Sequence, residues 1–227
     1  MSSAQAPRRA RPASPRRQSM RYVLIAWGFG AAWMYTMMGA ATTEYGKALG
    51  LSNFGFGVLA ALPFLGAFAQ LPVSLFIDRF GRRKFVFMTA GISGRAMWLF
   101  LAAIPWVLPS AWWPTALLVG TALGMLLTQM VTPAWMSWAS DLIPSKLRSR
   151  YMARRIQLGR AVGLVVTLVV GVGLDRAGAL GSDMVRTAIS IAYAFAGVSG
   201  MIDFLCHVPA HVAQIEHRRR VGIVSLV

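Results

Sequence analysis

Acidic side chains are scarce in this chain: 7 Asp and Glu face 23 Lys and Arg in 227 residues. Charge of either sign makes up only 13% of the sequence, against roughly 25% in soluble domains. That shortage argues against a soluble single-domain enzyme, whose surface needs far more charge. There is one cysteine, Cys206, so an internal disulfide is excluded, and a lone thiol says little about redox compartment. The paired Asn-Pro-Ala loops that aquaporin-type channels require are absent.

What is abundant is apolar. Hydrophobic residues are 56% of the chain and the mean hydropathy is +0.57, yet the formal net charge is +16. Basic and apolar together point to a membrane. Six apolar stretches, at 22–43, 54–77, 85–104, 114–138, 159–178 and 186–206, are each near the ~20 residues that cross ~30 Å of hydrocarbon as a helix. The expected fold is therefore all-α and polytopic, with six transmembrane helices. Residues 1–20 form a Pro/Ala/Ser/Arg tract too poor in apolar side chains to order, 21–206 form the bundle, and 207–227 form a basic tail or the start of a linker. The first stretch follows arginines and ends in small residues, as a secretory signal does, but it exceeds the about 7 to 15 apolar residues of a signal and reads as an uncleaved span.

Every basic residue except Lys47, Arg95, Arg176 and Arg186 falls in the first tail, the 2/3 loop, the 4/5 connection or the last tail. The positive-inside rule then places both termini in the cytoplasm, with the plasma (inner) membrane the expected location. Topology accounts for the arginines, so nucleic acid is not expected as a partner; the lipid bilayer and a small-molecule substrate are. Residues 71–81, LPVSLFIDRFG, match 168–178, LVVGVGLDRAG, at Leu71/Leu168, Val73/Val170, Asp78/Asp175, Arg79/Arg176 and Gly81/Gly178. The same offset lands span one on span four and span three on span six. Two units of three spans must lie inverted with respect to each other, an arrangement found in many secondary transporters.

At the end of span two stands Ser74-Leu-Phe-Ile-Asp78-Arg79-Phe-Gly81-Arg82-Arg83-Lys84, and after span four Asp141-Leu-Ile-Pro144-Ser-Lys-Leu-Arg148-Ser149-Arg150. The first resembles the Gly-x-x-x-Asp-Arg-x-Gly-Arg-Arg signature of the major facilitator superfamily, and the second resembles the Asp-x-x-Pro...Arg-Gly-Arg connection of the same family. Ser74 and Ser149 depart from it, each replacing a Gly. The resemblance covers about residues 20–210 and implies the amino-terminal six-helix half of such a transporter. It implies that Asp78 meets a helix of the other half, and that Arg82 bridges to Asp141, latching one gate shut. A second six-helix half, from another copy or a separate chain, is then an expected partner. The Gly-Pro pair and membrane Arg of proton-coupled drug antiporters are missing, so drug export is not expected.

The resemblance also implies that spans one and four line a central cavity. Both carry a small or polar stripe at helical spacing: Gly28, Ala32, Tyr35, Gly39 and Thr42 in one, and Thr121, Gly124, Thr128, Thr132 and Trp135 in the other. Tyr35, Thr42, Thr128, Thr132 and Trp135 are the substrate-face candidates, with close helix packing as the equal alternative. Gly159, Gly163, Thr167 and Gly171 read as packing alone. Arg95, inside span three, needs a partner, and Asp203 in span six is the acid the topology offers. A structural pair is the expected role, since the family's third and sixth helices are outer supports.

No cofactor or metal is expected: His207 and His211 beside Cys206 supply two strong ligands without a third. Gly91-Ile-Ser93-Gly94 resembles the motif of rhomboid intramembrane proteases, the remote enzymatic alternative. Ser93 lies about nine residues into its span and His207 at a helix end, roughly 13 Å apart in depth, so the two are not expected to meet. The other rival is a non-transporting six-span fragment or accessory protein that needs a partner half.

Overall fold

A computed structural model of the protein describes residues 15–209. Eight α-helices follow one another among them: α1 (Pro15–Met38), α2 (Ala40–Ala48), α3 (Asn53–Ala67), α4 (Gln70–Phe80), α5 (Arg83–Val107), α6 (Trp113–Leu142), α7 (Ser145–Leu180) and α8 (Ser182–Leu205), with a 3-10 turn at Ser110–Trp112 before α6. No strand occurs among the described residues. Five stretches are long and apolar enough to cross a membrane, namely α3 with α4, α5, α6 with its preceding turn, α7 and α8. The bent pair α1 and α2 makes a sixth, broken by 47° at Gly39. The break exposes backbone that hydrocarbon cannot hydrate. The Thr42 hydroxyl relieves it by donating to the Met37 carbonyl at 2.7 Å.

The second span is likewise interrupted, between α3 and α4, and carries Pro63 within α3. The Gln129 amide of α6 donates to the Pro63 carbonyl at 2.9 Å, which ties span four to span two. Pro133 sits inside α6. The span edges differ from those expected in two places. Residues 15–20, assigned to the disordered tail, are the first turns of α1. The fifth span, expected from residue 159, is helical from Ser145, because the basic stretch from Lys146 to Arg160 is rich in Lys, Arg, Leu, Met and Gln, all good helix formers. At 1.5 Å per residue α7 is about 54 Å long, and so runs well beyond ~30 Å of hydrocarbon.

The spans pack in a pattern that maps onto itself when the two triplets are exchanged. Span three (α5) packs on four (α6), as span six (α8) packs on one (α1); span one packs on five (α7), as span four packs on two (α3 and α4); and three and six meet each other. Half of the apolar window is buried in α5 and in α8, against 11% in α7. Spans three and six are thus the most buried of these five within this unit. A helix flanked by neighbours of its own unit on several sides is buried there, whatever it faces in a larger assembly.

Two apolar clusters fill the interior. One gathers Trp33, Met37, Tyr45, Trp98, Leu101 and Tyr193, where the Tyr45 hydroxyl donates to the Leu101 carbonyl at 2.6 Å. The other gathers Val23, Ile77, Phe87, Trp138, Tyr151 and Phe204. Large side chains such as Phe54, Phe64, Phe68, Leu168 and Val169 lie exposed on the outside, as expected of surfaces that contact lipid.

Close approach of span five to span one depends on two glycines. A Cβ at Gly159 would sit 2.7 Å from the Trp27 indole nitrogen, and one at Gly163 would sit 2.5 Å from the Tyr35 ring. Gly171, from the same stripe, has open space around it. Gly163→Leu is therefore expected to lower stability in detergent by about 1–3 kcal/mol through overpacking. Gly171→Ala should leave the thermal unfolding midpoint unchanged, which a fluorescence melt will check.

Candidate functional site: an arginine clamp and a buried charged cavity

The C-terminus of α6 ends in unsatisfied carbonyls and carries the negative end of a helix dipole. Three arginines from three other segments converge on it. Arg16 of α1 donates from Nε to the Leu142 carbonyl and from Nη2 to the Asp141 carbonyl, both at 2.8 Å. Arg83, at the start of α5, pairs with the Asp141 carboxylate and also reaches Ser137. Arg148, in the first turn of α7, donates to the Ser140 carbonyl at 3.1 Å. The Tyr151 hydroxyl donates to the Met20 carbonyl at 3.0 Å and Lys84 to the Val208 carbonyl at 2.9 Å. The starts of α1, α5 and α7 and the ends of α6 and α8 therefore share one end of the bundle, the basic end.

The ion pair expected between Arg82 and Asp141 is made by Arg83 instead. Arg82 is the exposed residue that caps α5, whereas Arg83 begins the helix and its side chain is only 4% exposed. One residue of helical rotation aims Arg83 at α6. Gly81 closes α4 in the left-handed conformation, φ 65°, which a side chain would disfavour, so the tight turn into α5 follows from it. In the second triplet the turn is displaced: Gly178 lies within α7 and Gly181, φ 110°, makes the reversal. Asp78, Arg79, Arg82 and Arg150 are exposed. No ion pair among the described residues includes Asp78.

Beside the second apolar cluster lies a half-open cavity of about 170 Å³ bounded by α1, α5, α6, α7 and α8. Arg95, Arg155, Asp203, Thr128, Thr132 and Trp135 all line it. Arg95 and Asp203, expected as a pair, are brought to the same cavity and act on each other electrostatically, but no nitrogen–oxygen contact within 4.0 Å joins them. Arg95 donates to the Thr128 hydroxyl at 3.1 Å and stacks its guanidinium over Trp33, 3.2 Å from the ring centroid. The Asp203 carboxylate rests against the backbone of Gly30, where an added Cβ would lie 2.5 Å from it. His207, past the end of α8, packs against Phe87 and Trp138 and has Nδ1 2.7 Å from the Asp203 carbonyl. Burial pushes this imidazole down to about 4, so it is neutral near pH 7.

Of the substrate-face candidates, Thr128, Thr132 and Trp135 line this cavity. Tyr35 does not: its ring packs on Gly163. Thr42 bridges the break in span one and accepts from the Tyr193 hydroxyl at 3.2 Å. Arg155 was not anticipated as a site residue, having been counted with the 4/5 connection. Its signal was nonetheless present, since Arg155, Gly159 and Gly163 are spaced by four and share one helix face. Ser93 is exposed on α5 and is not among the residues around His207. No cluster of metal-ligating side chains occurs among the described residues; His211 lies outside them.

Mostly exposed apolar helices, one basic end and two triplets with equivalent packing define a multi-pass helical membrane protein. The family model of the Major Facilitator Superfamily matches residues 22–221, and the chain belongs to that family of membrane transporters. Comparison with curated proteins and with solved structures gives no match.

Two substitutions separate the clamp from its neighbour in sequence. Arg83→Ala removes a charge-assisted bond from a buried side chain and should cost about 2 kcal/mol. Arg82→Ala should change stability by less than about 0.5 kcal/mol. Thermal unfolding of both variants in the same detergent checks the difference. Gly30→Ala drives a methyl group into the Asp203 carboxylate and is expected to lower the yield of folded protein, read as the monodisperse fraction on size-exclusion chromatography.

Proposed function

We propose that the chain moves a small solute across the plasma membrane by alternating access, with the basic end in the cytoplasm and a second six-helix half as its counterpart. The observation that carries this reading is the arginine clamp. It ties α1, α5 and α7 to the end of α6 at one end of the unit, while Asp78 at the end of α4 stays exposed, available to a partner helix. Rocking of one unit against another requires rigid units and a contact that can break. An acid at a helix C-terminus opposes the dipole, so a cationic or helix-N-terminal partner from outside the unit would relieve Asp78. The positive-inside rule supports the orientation.

The second reading, a six-span protein without transport activity of its own, rests on the same exposed Asp78. Liposome reconstitution distinguishes them. The purified chain is expected to take up at least one compound from a panel of radiolabelled small solutes, and Asp78→Asn is expected to lower that rate several-fold without changing the melting midpoint. Particles that run as monomers in detergent and move no solute in liposomes contradict transport by this chain alone.

A further inference from the structure

Spans one, three, four, five and six together enclose a charge imbalance. Two guanidiniums, Arg95 and Arg155, face the cavity against one carboxyl group, Asp203. No ion pair consumes either arginine: neither lies within 4.0 Å of a carboxylate oxygen among the described ion pairs. The surplus is positive charge lining one cavity, where the Arg155 Nε is buried without a hydrogen-bond partner.

The way Arg155 is held shows what could compensate it. Its guanidinium stacks over Trp27 at 3.8 Å and Trp135 at 4.8 Å from the ring centroids. Its Nε is buried without a hydrogen-bond partner, so the guanidinium has a donor left for an acceptor such as a carboxylate, which takes two parallel N–H bonds from such a fork. Thr132 supplies a further hydroxyl on the wall. About 170 Å³ is room for a carboxylate with a chain of a few carbons. A monoanion offsets this positive charge, and a dianion loses more hydration on entry.

We infer that the cavity between Arg95, Arg155 and Asp203 is a binding site for a small monocarboxylate, held edge-on by Arg155 and positioned by Arg95 with Thr128 and Thr132. Binding here lies within one six-helix unit and is independent of the transport reading. Where that reading also holds, the site names the chemical class of the solute. Asp203 is the specificity element: it repels a second anionic group and sets the net charge to be matched.

The test uses the full chain purified in detergent, with thermal unfolding followed by tryptophan fluorescence. Lactate, acetate, phosphate and chloride are titrated as sodium salts at constant ionic strength. Lactate and acetate are expected to raise the melting midpoint saturably, and phosphate and chloride to do much less. Arg155→Gln should abolish the lactate response, and Arg155→Lys, which keeps the charge but loses the fork, should weaken it. Asp203→Asn removes the repelling charge and should tighten lactate binding about tenfold. This gain is a sign that a merely structural cluster would not give, and it keeps the proposal testable if Arg155→Gln does not fold. An absent carboxylate response, an equal response to chloride or phosphate, or a lactate response weakened by Asp203→Asn overturns the assignment. Because the readout is binding, its failure leaves solute flux in liposomes as a separate question.

Discussion

Hydrocarbon offers no hydrogen bonds, and each feature of this molecule follows from that constraint. Backbone polar groups are satisfied inside helices, and at the break in span one the Thr42 hydroxyl steps in. Charges have two permitted places, the ends of the bundle or the interior with compensation. Most of the arginines take the first. Their concentration at one end also gives the exposed α6 carbonyls the cationic donors that a helix C-terminus favours, so one set of residues meets a topological and a local electrostatic demand.

Arg95 and Asp203 take the second place, and Arg155 reaches the same cavity from the basic end of α7. Aromatic faces hold the guanidiniums there, Trp33 under Arg95 and Trp27 under Arg155, so the positive charge is partly stabilised by π electrons. Glycine makes this placement geometrically feasible. Gly30 admits the Asp203 carboxylate and Gly200 the stem of Arg95, and a methyl group at either position would collide with the charged side chain. Small residues in these spans thus serve charge placement as well as helix approach.

Much of this was readable in the sequence, because membrane solvent writes its demands in composition. The six apolar runs, the two basic loops at one end and the offset between the triplets each survive in the structure as spans, shared end and equivalent packing. What could not be read was rotation about a helix axis. Whether Arg82 or Arg83 reaches Asp141 depends on a 100° step, and only Arg83 has the buried direction. Helix length was also hidden: hydropathy ends at the water boundary, whereas α7 continues past it to Ser145 and brings Arg155 to the cavity on the face of Gly159 and Gly163. The stripes divided for the same reason. Thr128, Thr132 and Trp135 turn toward the cavity, while Tyr35 packs on a glycine and Thr42 repairs a broken helix.

The central claim is that the arginine-bearing connections meet one aqueous phase and the short connections between them the other. Single cysteines introduced one at a time as Arg82→Cys, Arg150→Cys, Lys47→Cys and Arg186→Cys, in a Cys206→Ser background, can be labelled in sealed vesicles with a membrane-impermeant maleimide. Positions 82 and 150 should react from the same side, and 47 and 186 only from the other. Labelling of 82 and 150 from opposite sides would contradict the topology, the inverted triplets and the transporter reading built on them.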